Sequence, residues 1–413
     1  MSAKYYLLQT IRVLLISGAT GSLVAFFLVS LDMATNLRWQ HPWLLYLLPV
    51  AGLGIWYLYH HYGKNSEKGN NLLLNEIQSP DAGIPRRMAP LVLASTLITH
   101  LFGGSAGREG TAVQIGGSMA ASFFPIFKIG PQDKTLLISA GMAAGFGAVF
   151  GTPVTGAIFA LEVVSIGNIR YRSLLFCMIA GYAGHLTCMA WGVHHTLYKV
   201  QTIAEADPYL TDPLLWVKAV AAGVAFGLAG RLFAWSVRNW SAEMKRIMPK
   251  PWLVPVAGGI VMVALGSLPG AGDYLGLGVH TKDGTGVSII NAFQTGGADT
   301  FSWAIKLAFT AITLGSGFKG GEVTPLFFIG ATLGNVLAPV LGVPVDLFAG
   351  LGFIAVFCGA TNTPIACTLM GAELFGGGNI LYFATACVAA YMVSGHKGIY
   401  SAQTIAEPKS IHK

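Results

Sequence analysis

Long runs of apolar positions, separated by short polar or glycine-rich breaks, fill most of the chain. The uncharged stretch 13–31 is long enough to cross a hydrocarbon core of about 30 Å. It follows Lys4 and Arg12, exceeds an ordinary signal-peptide core and has no A-x-A site behind it. It therefore reads as a first membrane helix with a cytoplasmic N-terminus. Further apolar runs occupy 42–59, 88–102, 136–166, 173–193, 214–237, 252–268, 303–314, 324–343, 347–374 and 380–394. Several are too short to span, or are interrupted by Gly and Pro. A basic loop over 238–250, carrying Arg238, Lys245, Arg246 and Lys250, is expected on the cytoplasmic side. The pattern predicts an all-α polytopic protein, one membrane domain over 1–413 with no soluble regulatory domain.

Composition strengthens this reading. Hydrophobic residues make up 54% and charged residues 10%, against about 25% charged in soluble domains. Lipid must cover much of such a surface. The 53 glycines suit close helix approach, which matters in a bilayer because apolar burial no longer drives association. The net charge of +7 does not point to nucleic acid, since the basic residues sit in short loops without interleaved aromatics. Five cysteines lie inside apolar runs and read as small packing residues. No metal-ligand spacing occurs and no cofactor is expected. His60-His61 and His194-His195 edge apolar runs and read as interfacial.

The chain repeats itself. Thr152-Pro153 is followed nine residues after the proline by Glu162, and Thr363-Pro364 at the same interval by Glu373. Gly107-Arg108-Glu109-Gly110-Thr111 precedes Ile115-Gly116, as Gly320-Gly321-Glu322-Val323-Thr324 precedes Ile329-Gly330. The copies lie 211–214 residues apart, giving pseudo-repeats of about 1–200 and 201–413. Two copies of a unit with a broken short helix resemble secondary-transporter architecture, whose substrate sites lie at the repeat interface. Spacing leaves open whether the repeats are inverted or parallel.

Four glutamates in or beside apolar runs need a reason, because an ionised carboxylate at mid-bilayer costs at least about 2.5–3.5 kcal/mol. Glu109 falls where glycines end one helix and another begins. Free N–H groups and the helix dipole favour negative charge there, and the same place suits a free anion. Its carboxylate can occupy that site, leave it and take up a proton; a plain cap paired with Arg108 is the bland alternative. Glu322, Val323 and Thr324 occupy the matching break, with Pro325 fit for a first turn and Thr324 the expected N-cap. Simple capping would explain these as well. Glu162 and Glu373, as a symmetric pair, read as holders of helix ends or backbone amides. Asn70, in the polar break Lys68-Gly69-Asn70-Asn71, is a candidate anion donor or a surface turn. Tyr400 alone would read as an interfacial aromatic.

Together, G-R-E-G at 107–110, G-G-x-x-x-P at 320–325 and the tyrosine near the C-terminus resemble the CLC chloride channels and transporters. The resemblance covers nearly the whole chain. It implies the CLC-type fold of two inverted repeats with tilted and broken helices, a homodimer with one pore per subunit, and Glu109 as the gating, proton-carrying glutamate. Thr111 stands where most relatives have Pro, Asn70 where the usual chloride-binding Ser would be, and Val163 where exchangers carry an inner glutamate. These departures resemble the fluoride/proton antiporter branch, CLC-F. In that branch residues matching Asn70, Glu109, Glu322, Val323, Thr324 and Tyr400 line the anion and proton path, next to Gly110 and Thr111. The resemblance also implies a bacterial inner membrane.

The leading expectation is thus export of fluoride in exchange for protons, not an enzyme. A chloride channel or chloride/proton exchanger on the same scaffold is the first alternative, since Val163 also fits channels. Gly270-Ala271-Gly272-Asp273 matches the G-x-G-D pattern of intramembrane aspartyl proteases, but no Tyr-Asp partner occurs. A second Asp within reach of Asp273 would be needed for that reading.

Overall fold

A computed structural model describes residues 3–80, 83–201 and 213–409, and they are overwhelmingly helical. The first apolar run extends in both directions into α1 (Ala3–Gln40). Next come α2 (Leu48–Leu58), α3 (Asn70–Gln78) and α4 (Met88–Leu101). They are followed by α5 (Glu109–Phe127), α6 (Pro131–Phe150), α7 (Pro153–Glu162) and α8 (Leu174–Ala190). The second half holds α9 (Pro213–Ile247), α10 (Leu253–Gly266) and α11 (Ser302–Gly315). It continues through α12 (Val323–Leu341), α13 (Val345–Thr361), α14 (Pro364–Phe375) and α15 (Ile380–Val393). Two short parallel strands, β1 (Ser165–Ile166) and β2 (Thr404–Ile405), tie the segment after α7 to the C-terminal segment. Five helical segments among the described residues are long and apolar enough to cross a membrane. The rest are short, as broken helices must be.

Where sequence pattern and structure differ, the backbone chemistry explains it. The run 136–166 is two helices, because the N–H-less Pro153 starts α7 at its first position. Pro364 divides 347–374 into α13 and α14 in the same way. The expected basic loop 238–250 is mostly helix: α9 runs to Ile247 with Lys245 and Arg246 in its last turn. Cations there complement the negative end of the helix dipole.

The order α4–α5–α6–α7 recurs as α11–α12–α13–α14, with 14 residues in α4 and α11 and 19 in α5 and α12. Within each half the long helices pack with backbones nearly touching. A Cβ on Gly116 of α5 would land on the Gly141 carbonyl of α6, and one on Gly330 of α12 on the Gly352 carbonyl of α13. Only glycine allows that approach.

The halves grip each other reciprocally. Glu162, at the end of α7, accepts the Ile365 and Ala366 N–H groups at the start of α14 (3.0 and 2.8 Å). Glu373, near the end of α14, accepts the Val154 and Thr155 N–H groups at the start of α7 (3.0 and 2.8 Å) and the Thr155 hydroxyl (2.6 Å). A contact in which each partner's end caps the other's beginning is the signature of a local two-fold relation. The helix-holding role expected for this pair is what the geometry shows.

Candidate functional site

The two glycine breaks meet. Gly107 and Gly321 exchange both backbone hydrogen bonds in an antiparallel bridge (2.6 and 2.7 Å). This pins the first turns of α5 and α12 side by side in the protein interior. Free N–H groups therefore cluster at one point, and a buried helix start needs acceptors there.

Glu109 supplies them, though not to its own helix alone. It is the first residue of α5, behind Arg108 at the N-cap, and it is 1% exposed. Its Oε2 accepts the Thr324 N–H at 3.0 Å and the Arg108 N–H at 3.1 Å. Its Oε1 accepts the Thr324 hydroxyl. The carboxylate thus sits at the positive end of α12, 215 residues away in sequence. The Arg108 Nε is 3.7 Å from Oε1 and makes no hydrogen bond among the described residues, so pairing with Arg108 is the weaker interaction. Thr324 is not the N-cap of α12. Glu322 holds that position, and Thr324, two residues in, turns its N–H and hydroxyl to Glu109.

The other candidates gather around Gly110. A Cβ there would come within 3.3 Å of Asn70 Nδ2, 3.5 Å of Glu322 Oε2 and 3.1 Å of the Gly321 Cα. The Lys68–Asn71 break is a helix start: Gly69 adopts φ +55°, and Asn70 opens α3 in a buried position. The Asn70 Oδ1 has no hydrogen-bond partner among the described residues. Val323 is buried beside Thr324. Tyr400 is the outlying member: its buried ring meets Phe159 edge-on at 6.4 Å, within electrostatic range of Glu322 and Glu109. Thr111 directs its hydroxyl away, to Thr96 of α4 at 2.7 Å.

Two cavities lie beside this junction. A vestibule of about 610 Å³ is lined by the C-terminal part of α1 and by the loop between α10 and α11. It shares Arg108, Thr196 and Val279 with a chamber of only about 20 Å³. Glu109, Thr324, Phe327 and Phe353 line that chamber. The two phenylalanines stack at 3.8 Å, so the walls there are apolar and tight.

Two buried cations escaped the sequence reading. Lys306 of α11 is fully buried and donates to the Tyr274 and Gly276 carbonyls (3.0 and 2.7 Å). Its signal was present, a lone Lys inside the apolar run 303–314. Arg38 resembled an ordinary helix-end cation, and only the fold buries it. Asp273 lies in a 3-10 turn, not a membrane helix, and its carboxylate accepts the Val287 N–H at 2.8 Å. A second aspartate, Asp299, is within electrostatic reach of Asp273, but it lies in the loop before α11, so neither occupies the membrane-helix position that the protease pattern needs.

A buried carboxylate at the meeting point of two broken helices, lining a water-sized chamber in a chain of long apolar helices, defines a multi-pass membrane transport protein. The model of the voltage-gated chloride channel family matches residues 51–395. The chain is 45% identical over 403 residues to a chloride/fluoride channel protein of Pseudomonas syringae pv. tomato, covering 96% of this chain and 86% of that one. Its structure superposes on the crystal structure of a CLC-type fluoride/proton antiporter with a TM-score of 0.91 at 34% identity, over 98% of this chain and 100% of the other. A slow cyanobacterial Cl⁻/H⁺ antiporter shares the fold alone, with a TM-score of 0.78 at 18% identity over 95% of this chain and 96% of the other. The chain belongs to the voltage-gated chloride channel (CLC) family.

Proposed function

We propose that this protein is a secondary active antiporter that exports fluoride in exchange for inward protons. One observation carries the reading: the Glu109 carboxylate is bound by the Thr324 N–H and hydroxyl at the start of α12. Those donors suit an anion equally well. Carboxylate and halide are then competitors for one place. When Glu109 takes a proton its negative charge is gone, its hold on Thr324 weakens, and the anion can enter. When the anion leaves, the deprotonated side chain returns.

Fluoride is small and strongly hydrated, so a site that strips its water must offer dense, charge-assisted donors. Thr324, Asn70, Tyr400 and the backbone around Gly110 and Val323 are the proposed donors and lining, and protonated Glu109 adds an O–H. Thr111 belongs to the same helix turn, with its hydroxyl already engaged by Thr96. With Val163 in place of an inner carboxylate, Glu322 and Thr324 form the proposed proton route. Glu322 supports this by lying beside Gly110, as Asn70 does. The chain is proposed to act as a single membrane domain of two inverted pseudo-repeats, as a homodimer with one pore per subunit, in a bacterial inner membrane.

The Pseudomonas relative is named for both chloride and fluoride, so a chloride channel or exchanger on this scaffold is the second reading. Parallel halide efflux from proteoliposomes tests the choice. Fluoride efflux should far outpace chloride and stay coupled to proton uptake. Faster chloride efflux would favour the second reading.

A further inference from the structure

The vestibule contains a buried charge that the transport cycle described above does not use. Arg38 lines the cavity, is 8% exposed, and makes no hydrogen bond or ion pair among the described residues. Its guanidinium lies against Gly276: a Cβ there would stand 3.3 Å from one terminal nitrogen and 3.6 Å from the central carbon. A guanidinium stays protonated under all ordinary conditions and offers five donors. The Arg38 Nε is buried without an acceptor, which is costly.

Its surroundings deepen the deficit. Lys306 already takes the Gly276 and Tyr274 carbonyls from behind the same loop. Arg108 lines the cavity too, but its charge is shared with Glu109, whose Oε1 lies 3.7 Å from the Arg108 Nε. The acidic residues facing the space do not compensate. Asp32 is exposed and forms no ion pair among the described residues, and Asp273 is bound to the Val287 N–H. A cavity of about 610 Å³ has room for a hydrated ion.

We propose that the vestibule holds a second anion site, built on Arg38, for a small monovalent inorganic anion that keeps part of its water. It is separate from the Glu109–Thr324 junction, where the anion would be stripped. The site concentrates anions at the mouth of the narrow chamber and offsets the Arg38 charge. It stands whether or not the protein is a fluoride/proton antiporter, because it concerns binding and not coupling.

The test uses the purified full chain. Sodium bromide diffused into crystals should give an anomalous peak at the Arg38 guanidinium, and the peak should persist in Glu109→Gln. In solution, sodium fluoride or chloride should raise the melting temperature relative to sodium gluconate. The halide concentration needed should be about tenfold higher in Arg38→Gln, the effect of losing a charged donor, with partial recovery in Arg38→Lys. An empty vestibule in the wild-type crystals would overturn the proposal. So would a bromide peak without Arg38-dependent stabilisation, which would mark an adventitious ion only. The wild-type arms need no variant, so a misfolded Arg38→Gln leaves the proposal open to refutation. Coupled transport that fails while bromide still binds Arg38 would count against the antiporter reading alone.

Discussion

At the scale of single residues, the site turns on how many donors face one carboxylate. Thr324 gives Glu109 two of them. Thr324→Val removes the hydroxyl and keeps the N–H. A hydrogen bond to a charged group is worth about 1.5–3 kcal/mol, so apparent fluoride affinity should fall by about tenfold or more, read as a rise in half-saturating fluoride in a flux assay. Asn70→Ser replaces a donor amide beside Gly110 with a shorter hydroxyl, and should shift selectivity toward chloride. Unchanged fluoride-over-chloride ratios in liposome efflux would remove Asn70 from the ligand set. Glu109 was legible in the sequence because a carboxylate in a glycine break between apolar runs has few reasons to exist. That it reaches the other helix start was not legible. Capping is usually local, and nothing in one chain says that residues 109 and 324 touch. Lys306 could have been found on the same logic as Glu109. Arg38 could not, since its burial comes from the loop between α10 and α11 folding over the end of α1.

At the scale of elements, the T-P-x8-E repeats foretold that Glu162 and Glu373 are equivalent. They did not foretell that each caps the start of the other's helix. Glu373 serves three donors on α7. Glu373→Gln leaves a neutral amide with one acceptor oxygen and should cost about 1–3 kcal/mol, seen as a lower melting temperature in detergent with proton coupling intact. Loss of coupling without loss of stability would mean that this glutamate does more than hold helices. Element boundaries were the least legible feature. Hydrophobicity does not change across Gly151-Thr152-Pro153, so apolar pattern alone merges α6 with α7. The prolines at 153 and 364 carried the information, because a residue without an N–H starts helices and does not continue them.

At the scale of the whole molecule, the sequence pattern conveyed a lipid-embedded helical protein built twice over. It could not convey how tightly the copies are packed. Gly330 lets α12 meet α13 backbone to backbone, and α12 carries Thr324 at its start. Gly330→Ala should cost about 1–3 kcal/mol by overpacking, reported by reduced thermal stability, and should loosen the grip on Glu109 from a distance. The central claim is that one side chain and one anion take turns at the start of α12. The most direct measurement imposes an outward fluoride gradient on proteoliposomes with no initial proton gradient and follows internal pH. Wild type should draw protons inward as fluoride leaves, and Glu109→Gln should pass fluoride with no proton movement. Proton uptake that survives in Glu109→Gln would contradict the account.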